Sequence, residues 1–315
     1  MDNNSNEIKI IRTYEASVKA VWEAWADLKK VSEWWGPRGN TITTSSRELK
    51  PGGNWIFTMH SPDGVDYSNK THYFEVEKYS KLVYDHGANN APPMFRVAVV
   101  FTEFKGGTKM DMSLIFPSVQ VANATRKFIK KVGGDSTWDR LAEYLKKEAS
   151  GKECFTINRS FDAPLAALFE MWTNPKHLTK WVPPTGFNME MVRGEIKPGK
   201  NTFSVMTGGN IKMYAKAEYI KIEKPHCIVY TQQFVDEHEK LSRHPMSATW
   251  PETLLTTVKF SEEGENQTRV TLTWEPYGST THEELQTFIK ARGGMAQGWT
   301  GSFDKLELYL SSEKY

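Results

Sequence analysis

The stretch YEASVKAVWEAWADLKKVSEW, Tyr14–Trp34, returns later in the chain as FDAPLAALFEMWTNPKHLTKW, Phe161–Trp181. Tyr14 stands against Phe161, Ala16 against Ala163, Val21-Trp22 against Leu168-Phe169, Trp25 against Trp172, and Trp34 against Trp181, all at one offset. Chance spacing of apolar residues would not hold a single offset over that length. The correspondence continues through Glu48-Leu-Lys-Pro51-Gly52 against Glu195-Ile-Lys-Pro198-Gly199. It slips by one residue at Leu82-Val-Tyr84 against Ile228-Val-Tyr230. The slip grows at Thr108-Lys-Met110 against Thr268-Arg-Val270 and at Trp138-Asp-Arg-Leu141 against Phe303-Asp-Lys-Leu306. Insertions thus fall between strong blocks, where surface loops absorb them. A period this long exceeds that of a solenoid, so each copy is expected to own a core. The reading is two domains, 1–149 and 150–315.

Size and composition agree. At about 150 residues per domain, 315 residues make two domains. A charged fraction of 25% with a net charge of only +2 gives no electrostatic case for nucleic acid. No apolar run is long enough to span a bilayer, and Met1-Asp-Asn-Asn-Ser-Asn-Glu lacks the regions of a signal peptide, so the expectation is a cytoplasmic protein without membrane insertion. Cys154 and Cys227 have no nearby Cys or His partner of zinc-site spacing and read as buried thiols. The unusual figure is 12% aromatic with 11 Trp, a density that either fills a core or lines a pocket.

Within copy one, Glu7 to Tyr14 alternates as a strand, and Ser17 precedes Val18, Val21, Trp22 and Trp25, an N-cap followed by a helical stripe. Asp27 opens a second short helix that Gly36-Pro37 ends. Short runs rich in Val, Ile, Thr, Tyr and Phe follow, separated by Pro51-Gly52-Gly53, Pro62-Asp63-Gly64 and Gly106-Gly107, which reads as an antiparallel meander. One long helix over 121–147 closes the copy, with Gly133-Gly134 near its middle permitting a kink. Copy two repeats every element. Strands segregated from helices make the class α+β, a curved antiparallel sheet wrapped around a long C-terminal helix.

The Lys50-Pro-Gly-Gly53 turn, the early helix carrying Trp22 and Trp25, and the C-terminal Trp138-Asp-Arg-Leu-Ala-Glu-Tyr-Leu145 resemble the START/Bet v 1-like helix-grip (SRPBCC) superfamily. Within it the resemblance is to the activator of Hsp90 ATPase homologue 1-like (AHSA1-like) branch, and it covers both copies. Copy two carries the fuller signature at Gly298-Trp299 and at Arg243-His-Pro245 with Trp250-Pro-Glu252. Copy one has Gly133-Gly134 in place of Gly-Trp and is expected to be the more diverged. The resemblance implies a cavity between sheet and C-terminal helix, used across the superfamily for hydrophobic ligands, lipids and polyketides and occasionally for catalysis. Fold analogy alone assigns no ligand.

Motifs for other chemistry fail on their own terms. Gly194-Glu-Ile-Lys-Pro-Gly199-Lys200 has the spacing of a phosphate loop, but Asn201 replaces the magnesium-holding Ser or Thr, copy one has Arg47 at the first glycine, and a strand follows rather than a helix. The eight histidines form no metal-ligand pattern, no Gly-x-Ser-x-Gly elbow occurs, and no cysteine stands in an activating setting, so neither cofactor, metal nor catalytic residue is assigned. Glu75 and Glu218 are expected to face water, and His238 and His244 lie with Asp236 and Glu237 on a long insertion of copy two that reads as a solvated loop.

Strand alternation turns a set of aromatics and methionines inward. In copy two these are Trp181, Met191, Phe203, Val205, Met213, Tyr230, Gln232, Phe234, Met246, Trp250, Trp299 and Phe303, with Tyr230 and Gln232 as the polar groups that would orient a ligand. In copy one they are Trp34, Trp55, Phe57, Tyr84, His86, Phe95, Met112 and Trp138, bulkier side chains expected to fill its interior. The expectation is binding of a small hydrophobic or amphipathic molecule or lipid, mainly in copy two and without chemistry. The alternatives are an Hsp90 co-chaperone-like role, which the family name suggests, a cyclase- or aromatase-like enzyme using a cavity acid or base, and self-association through one copy.

Overall fold

A computed structural model describes residues 5–132 and 136–312. Contacts divide the chain into two compact units between Lys152 and Glu153. In the first, strand β1 (Glu7–Tyr14) leads into α1 (Val18–Ala26) and α2 (Leu28–Trp34). Six strands follow: β2 (Thr41–Arg47), β3 (Asn54–His60), β4 (Asp66–Glu77), β5 (Lys81–Ala88), β6 (Phe95–Phe104) and β7 (Gly107–Ile115). They form one antiparallel sheet in the order β1-β7-β6-β5-β4-β3-β2, in which each hairpin pairs sequence neighbours and β1 closes on β7.

The unit ends in α3 (Val119–Val132) and α4 (Ser136–Ser150), which cover the span read from the sequence as one long helix on either side of 133–135. The glycine pair Gly133-Gly134 lies outside the described residues.

The second unit repeats the order. It runs β8 (Phe155–Phe161), α5 (Leu165–Thr173), α6 (Pro175–Trp181), β9 (Asn188–Gly194), β10 (Asn201–Gly208), β11 (Ile211–Glu223), β12 (Cys227–Val235), β13 (Thr253–Gly264), β14 (Gln267–Pro276) and α7 (His282–Ser312). Its sheet order is β8-β14-β13-β12-β11-β10-β9. Both units are helix-grip domains of α+β class.

The repeated opening stretch builds the same structure twice. Ser17 accepts from the Ala20 N–H and Asp27 from those of Lys29 and Lys30, so each helix of the pair starts on a side-chain cap. In the second unit Asn174 caps α6 and Pro175 opens it, where the missing N–H costs nothing. Trp34 and Trp181 are fully buried, and each indole N–H donates to a carbonyl of the preceding helix, Ala24 at 3.0 Å and Met171 at 3.1 Å. Trp25 stacks on Trp138 at 5.6 Å between centroids, and Trp172 stacks on Trp299 at 5.8 Å. Phe303, which aligns with Trp138, sits one turn further along α7 and meets Phe161 edge-on. Cys154 is buried as expected, whereas Cys227 is half-buried.

Candidate functional site: the inner wall of the second sheet

Strand register lays the inward side chains out in rows across each sheet, so the two units can be compared row by row. The first row is Tyr219, Tyr230, Thr256 and Trp274 in the second unit and Tyr73, Tyr84, Val97 and Leu114 in the first. The next reads Gly194, Thr202, Ala217, Gln232 and Leu254 against Arg47, Trp55, Thr71, His86 and Phe95. A third sets Met191, Ser204, Ala215 and Phe234 against Thr44, Phe57, Asn69 and Ala88. Met206 and Met213 end the wall.

In the first unit these rows are filled. Trp55 and Phe57 stack at 4.2 Å, and Trp35 meets Trp55 at 5.1 Å. The Arg47 guanidinium lies 4.6 Å over the Trp55 ring and donates to the Tyr73 hydroxyl and to the carbonyls of Trp25 and Ala26. Its charge is thereby spent on protein acceptors, which is what permits it beside the core. His86 stacks on Phe57 and lies 3.1 Å through Nδ1 from the Thr71 hydroxyl.

Burial pushes the His86 imidazole down to about 4. The folded unit therefore holds it neutral, while the unfolded chain takes up a proton near pH 6.5. Stability from this site is complete above pH 6.5 and falls away as pH drops towards 4, by about 3 kcal/mol in all. Thermal melts of the first unit between pH 7 and 4 are expected to show this loss in the wild type and a flatter profile in His86→Gln, the residue that Gln232 supplies in the other unit.

In the second unit the same rows carry smaller side chains. Trp55 and Phe57 become Thr202 and Ser204, Arg47 becomes Gly194, Thr71 becomes Ala217, and the position after Trp181 carries Val182 where the first unit has Trp35. Gly194 holds φ +107°, and a Cβ there would lie 2.1 Å from the Asn201 carbonyl oxygen, so no larger residue refills the space. Met213, Ala215, Ala217, Tyr230, Gln232 and Phe234 face inward yet remain half-buried. The Tyr219 and Tyr230 rings lie 5.4 Å apart. Burial raises both phenols, Tyr219 to about 12, so both keep their protons at neutral pH. The opposite wall is apolar, with Phe288, Met295 and Trp299 buried on α7 and Ala291 beside them.

Met213 and Phe234 carry this wall into a cleft of about 310 Å³, bounded also by Lys212, Tyr214, Asp236, Glu237, Ser242, Arg243 and Pro245. The insertion 236–252 straps across its end. His244 sits between Phe234 and Trp250, at 4.7 and 5.8 Å, and Trp250 reaches Phe288 of α7. Partial burial lowers the His244 pKa. Arg243 fastens the strap, donating to Glu284 at 2.5 Å, to Glu252 at 2.9 Å and to the Trp250 carbonyl. Glu284 also accepts from the Thr281 N–H, and the Thr281 hydroxyl accepts from the Glu284 N–H, a reciprocal cap at the start of α7. The Thr281 N–H and then Arg243 hold the Glu284 carboxyl below its usual range.

The inward set read from the sequence is thus brought together in most of its members. Met191, Met213, Tyr230, Gln232 and Phe234 stand on the inner wall, Trp181, Trp299 and Phe303 in the core behind it, and Trp250 on the strap. Trp34, Trp55, Phe57, Tyr84, Met112 and Trp138 pack the first unit's core, with Phe95 half-buried against it.

Three residues do not face inward. Phe203 and Val205 share the outer face with Lys216 and Tyr214, and Phe203 stacks on Tyr214 beneath Arg193. Pairing of Thr202 with Ala217 fixes the pleat, so the neighbouring residues must point the other way. Met246 is 62% exposed on the strap. Glu75 and Glu218 face water, as does His238, while His244 is half-buried rather than solvated.

Thr202, Ser204 and Ala217 escaped the sequence reading, as did the contact of Arg243 with Glu284. The constant offset already set Thr202 against Trp55. Only the pleat shows that this exchange, and not Phe203, faces inward.

The family described as activator of Hsp90 ATPase homolog 1-like protein matches residues 15–146 and 162–311, one match in each unit. The chain belongs to this family. Among solved structures it is similar to a protein of Mycobacterium smegmatis, at 22% identity over 51% of this chain and 93% of that one, with a TM-score of 0.42. A protein of Arthrobacter aurescens, at 21% identity over 47% and 90%, gives 0.43. The AHSA1 protein of Silicibacter pomeroyi, at 18% identity over 51% and 99%, gives 0.40. No curated protein sequence matches the chain. Among the described residues no helix is long and apolar enough to cross a membrane, and no cluster of His, Cys, Asp and Glu could hold a metal ion.

Proposed function

We propose that this AHSA1-like tandem is a cytoplasmic binding protein that takes one small amphipathic molecule into its second unit, while the first unit is a closed companion. One observation carries the reading: at equivalent inward positions Arg47, Trp55 and Phe57 fill the first unit, and the second has the smaller Gly194, Thr202 and Ser204, which favours an open interior there. Half-buried apolar side chains at the bottom of a concave wall favour a ligand, because covering them removes apolar surface from water.

The wall offers contact and hydrogen bonding rather than proton transfer. Burial pushes the phenols of Tyr219 and Tyr230 up, so both stay protonated near neutral pH, and it pushes the nearby His244 down.

Titration with the neutral dye Nile red tests this. One saturable site per chain is expected. Saturation at two sites, or no saturable signal, would contradict the reading. The strap supplies a second check on the same site: Arg243→Ala is expected to release bound dye several-fold faster and to speed proteolysis within 236–252, since Arg243 joins the strap to α7.

A further inference from the structure

The second unit's wall also says what kind of head group its ligand carries. In the first unit the His86 ring is met by the Thr71 hydroxyl across the strand pair. In the second, Gln232 takes the place of His86 and Ala217 the place of Thr71, so the amide faces a methyl group instead of a hydroxyl. Gln232 is half-buried, flanked by Leu254 on one side and Ala217 on the other, with Tyr230 and Phe234 two residues away on the same face. A primary amide is both donor and acceptor. Leaving it unpaired inside a closed apolar site costs free energy that a complementary ligand recovers.

Charge is the second half of the argument. No inward position of the four rows is a lysine, an arginine, an aspartate or a glutamate. The facing residues of α7 are Phe288, Ala291, Met295 and Trp299. A carboxylate or phosphate drawn onto this wall would lose its water without gaining a counter-charge. At the cleft the charges are mixed, Lys212 and Arg243 with Asp236 and Glu237, and Arg243 is already held by Glu284 and Glu252. The mouth therefore offers an anion no uncompensated cation on Arg243.

Resting on the ligand-binding reading above, we propose that the second unit selects an uncharged ligand with an aromatic or alicyclic body and one neutral oxygen group, a hydroxyl or a carbonyl, held by the Gln232 amide. An anionic head, as on a free fatty acid or a phosphorylated lipid, finds no counter-charge on this wall and binds there more weakly than the neutral group.

Displacement of Nile red by three probes of one skeleton tests this: 4-phenylphenol, biphenyl and biphenyl-4-carboxylate, against the wild type and Gln232→Leu. Leucine keeps the side-chain size, and Leu254 beside it shows that the wall accepts one. In the wild type 4-phenylphenol is expected to bind about fivefold or more tightly than biphenyl, one hydrogen bond's worth. The carboxylate should be at least about tenfold weaker than the phenol. In Gln232→Leu the phenol's advantage over biphenyl should disappear while biphenyl binds as well or better. A carboxylate that matches the phenol, or a phenol preference that survives in Gln232→Leu, overturns the neutral-ligand inference and leaves the binding site itself standing. Failure of every probe and of the dye overturns both.

Discussion

Trp55→Thr, which gives the first unit the residue found at the equivalent place in the second, is expected to destabilise the first unit by about 3–5 kcal/mol. The side chain is 2% exposed and is held on every side: Phe57 stacks on it, Trp35 meets its edge, and its indole N–H donates to the Thr44 hydroxyl at 3.0 Å. Arg47 lies over its face. Removing the ring leaves a cavity and strips the guanidinium of its aromatic partner, and closely packed interiors relax only partly into such a space. For a unit of this size the melting transition should fall by about 10 °C. Calorimetry is the measurement, with the second unit's transition as internal reference. An unmoved first transition would mean that Trp55 is not packed as described.

The reverse exchange carries the largest functional effect. Ser204→Phe places on the second wall the ring that Phe57 supplies in the first, directly beside Ala215 and Met191. The expected result is loss of ligand affinity by about a hundredfold or more, near 3 kcal/mol. Melting temperature should be equal or higher, because apolar atoms added beside Ala215 and Met191 commonly add stability. The two readouts together separate occlusion from misfolding. Undiminished dye binding in a well-folded Ser204→Phe protein would place the ligand elsewhere.

Both predictions come from comparing two copies of one fold, and the sequence made that comparison available early. The helix pair, the seven-strand order and the Trp34–Trp181 equivalence follow from caps, turn residues and the constant offset, all local signals. The face on which Phe203 lies did not, because its apolar character matched an inward position while the pleat set by Thr202 and Ala217 turned it outward. A bulge between Phe203 and Ser204 in the pairing with β9 adds to the difficulty, since it shifts which β9 residue each one faces.

Small residues carry the proposed site, and small residues give weak signals in a single sequence. Thr202, Ser204, Ala215 and Ala217 stand out only when set against Trp55, Phe57, Asn69 and Thr71. Arg243 was legible as part of a family signature, but its role in joining the strap to Glu284 depends on a contact across 41 residues of chain.

Native mass spectrometry of wild type and Ser204→Phe, each purified from the protein's own host, tests the account most directly. The account predicts one small molecule retained per wild-type chain, released on denaturation, and none on Ser204→Phe. The same molecule held by both proteins, or no bound molecule on the wild type, would contradict a ligand site on the inner wall of the second unit.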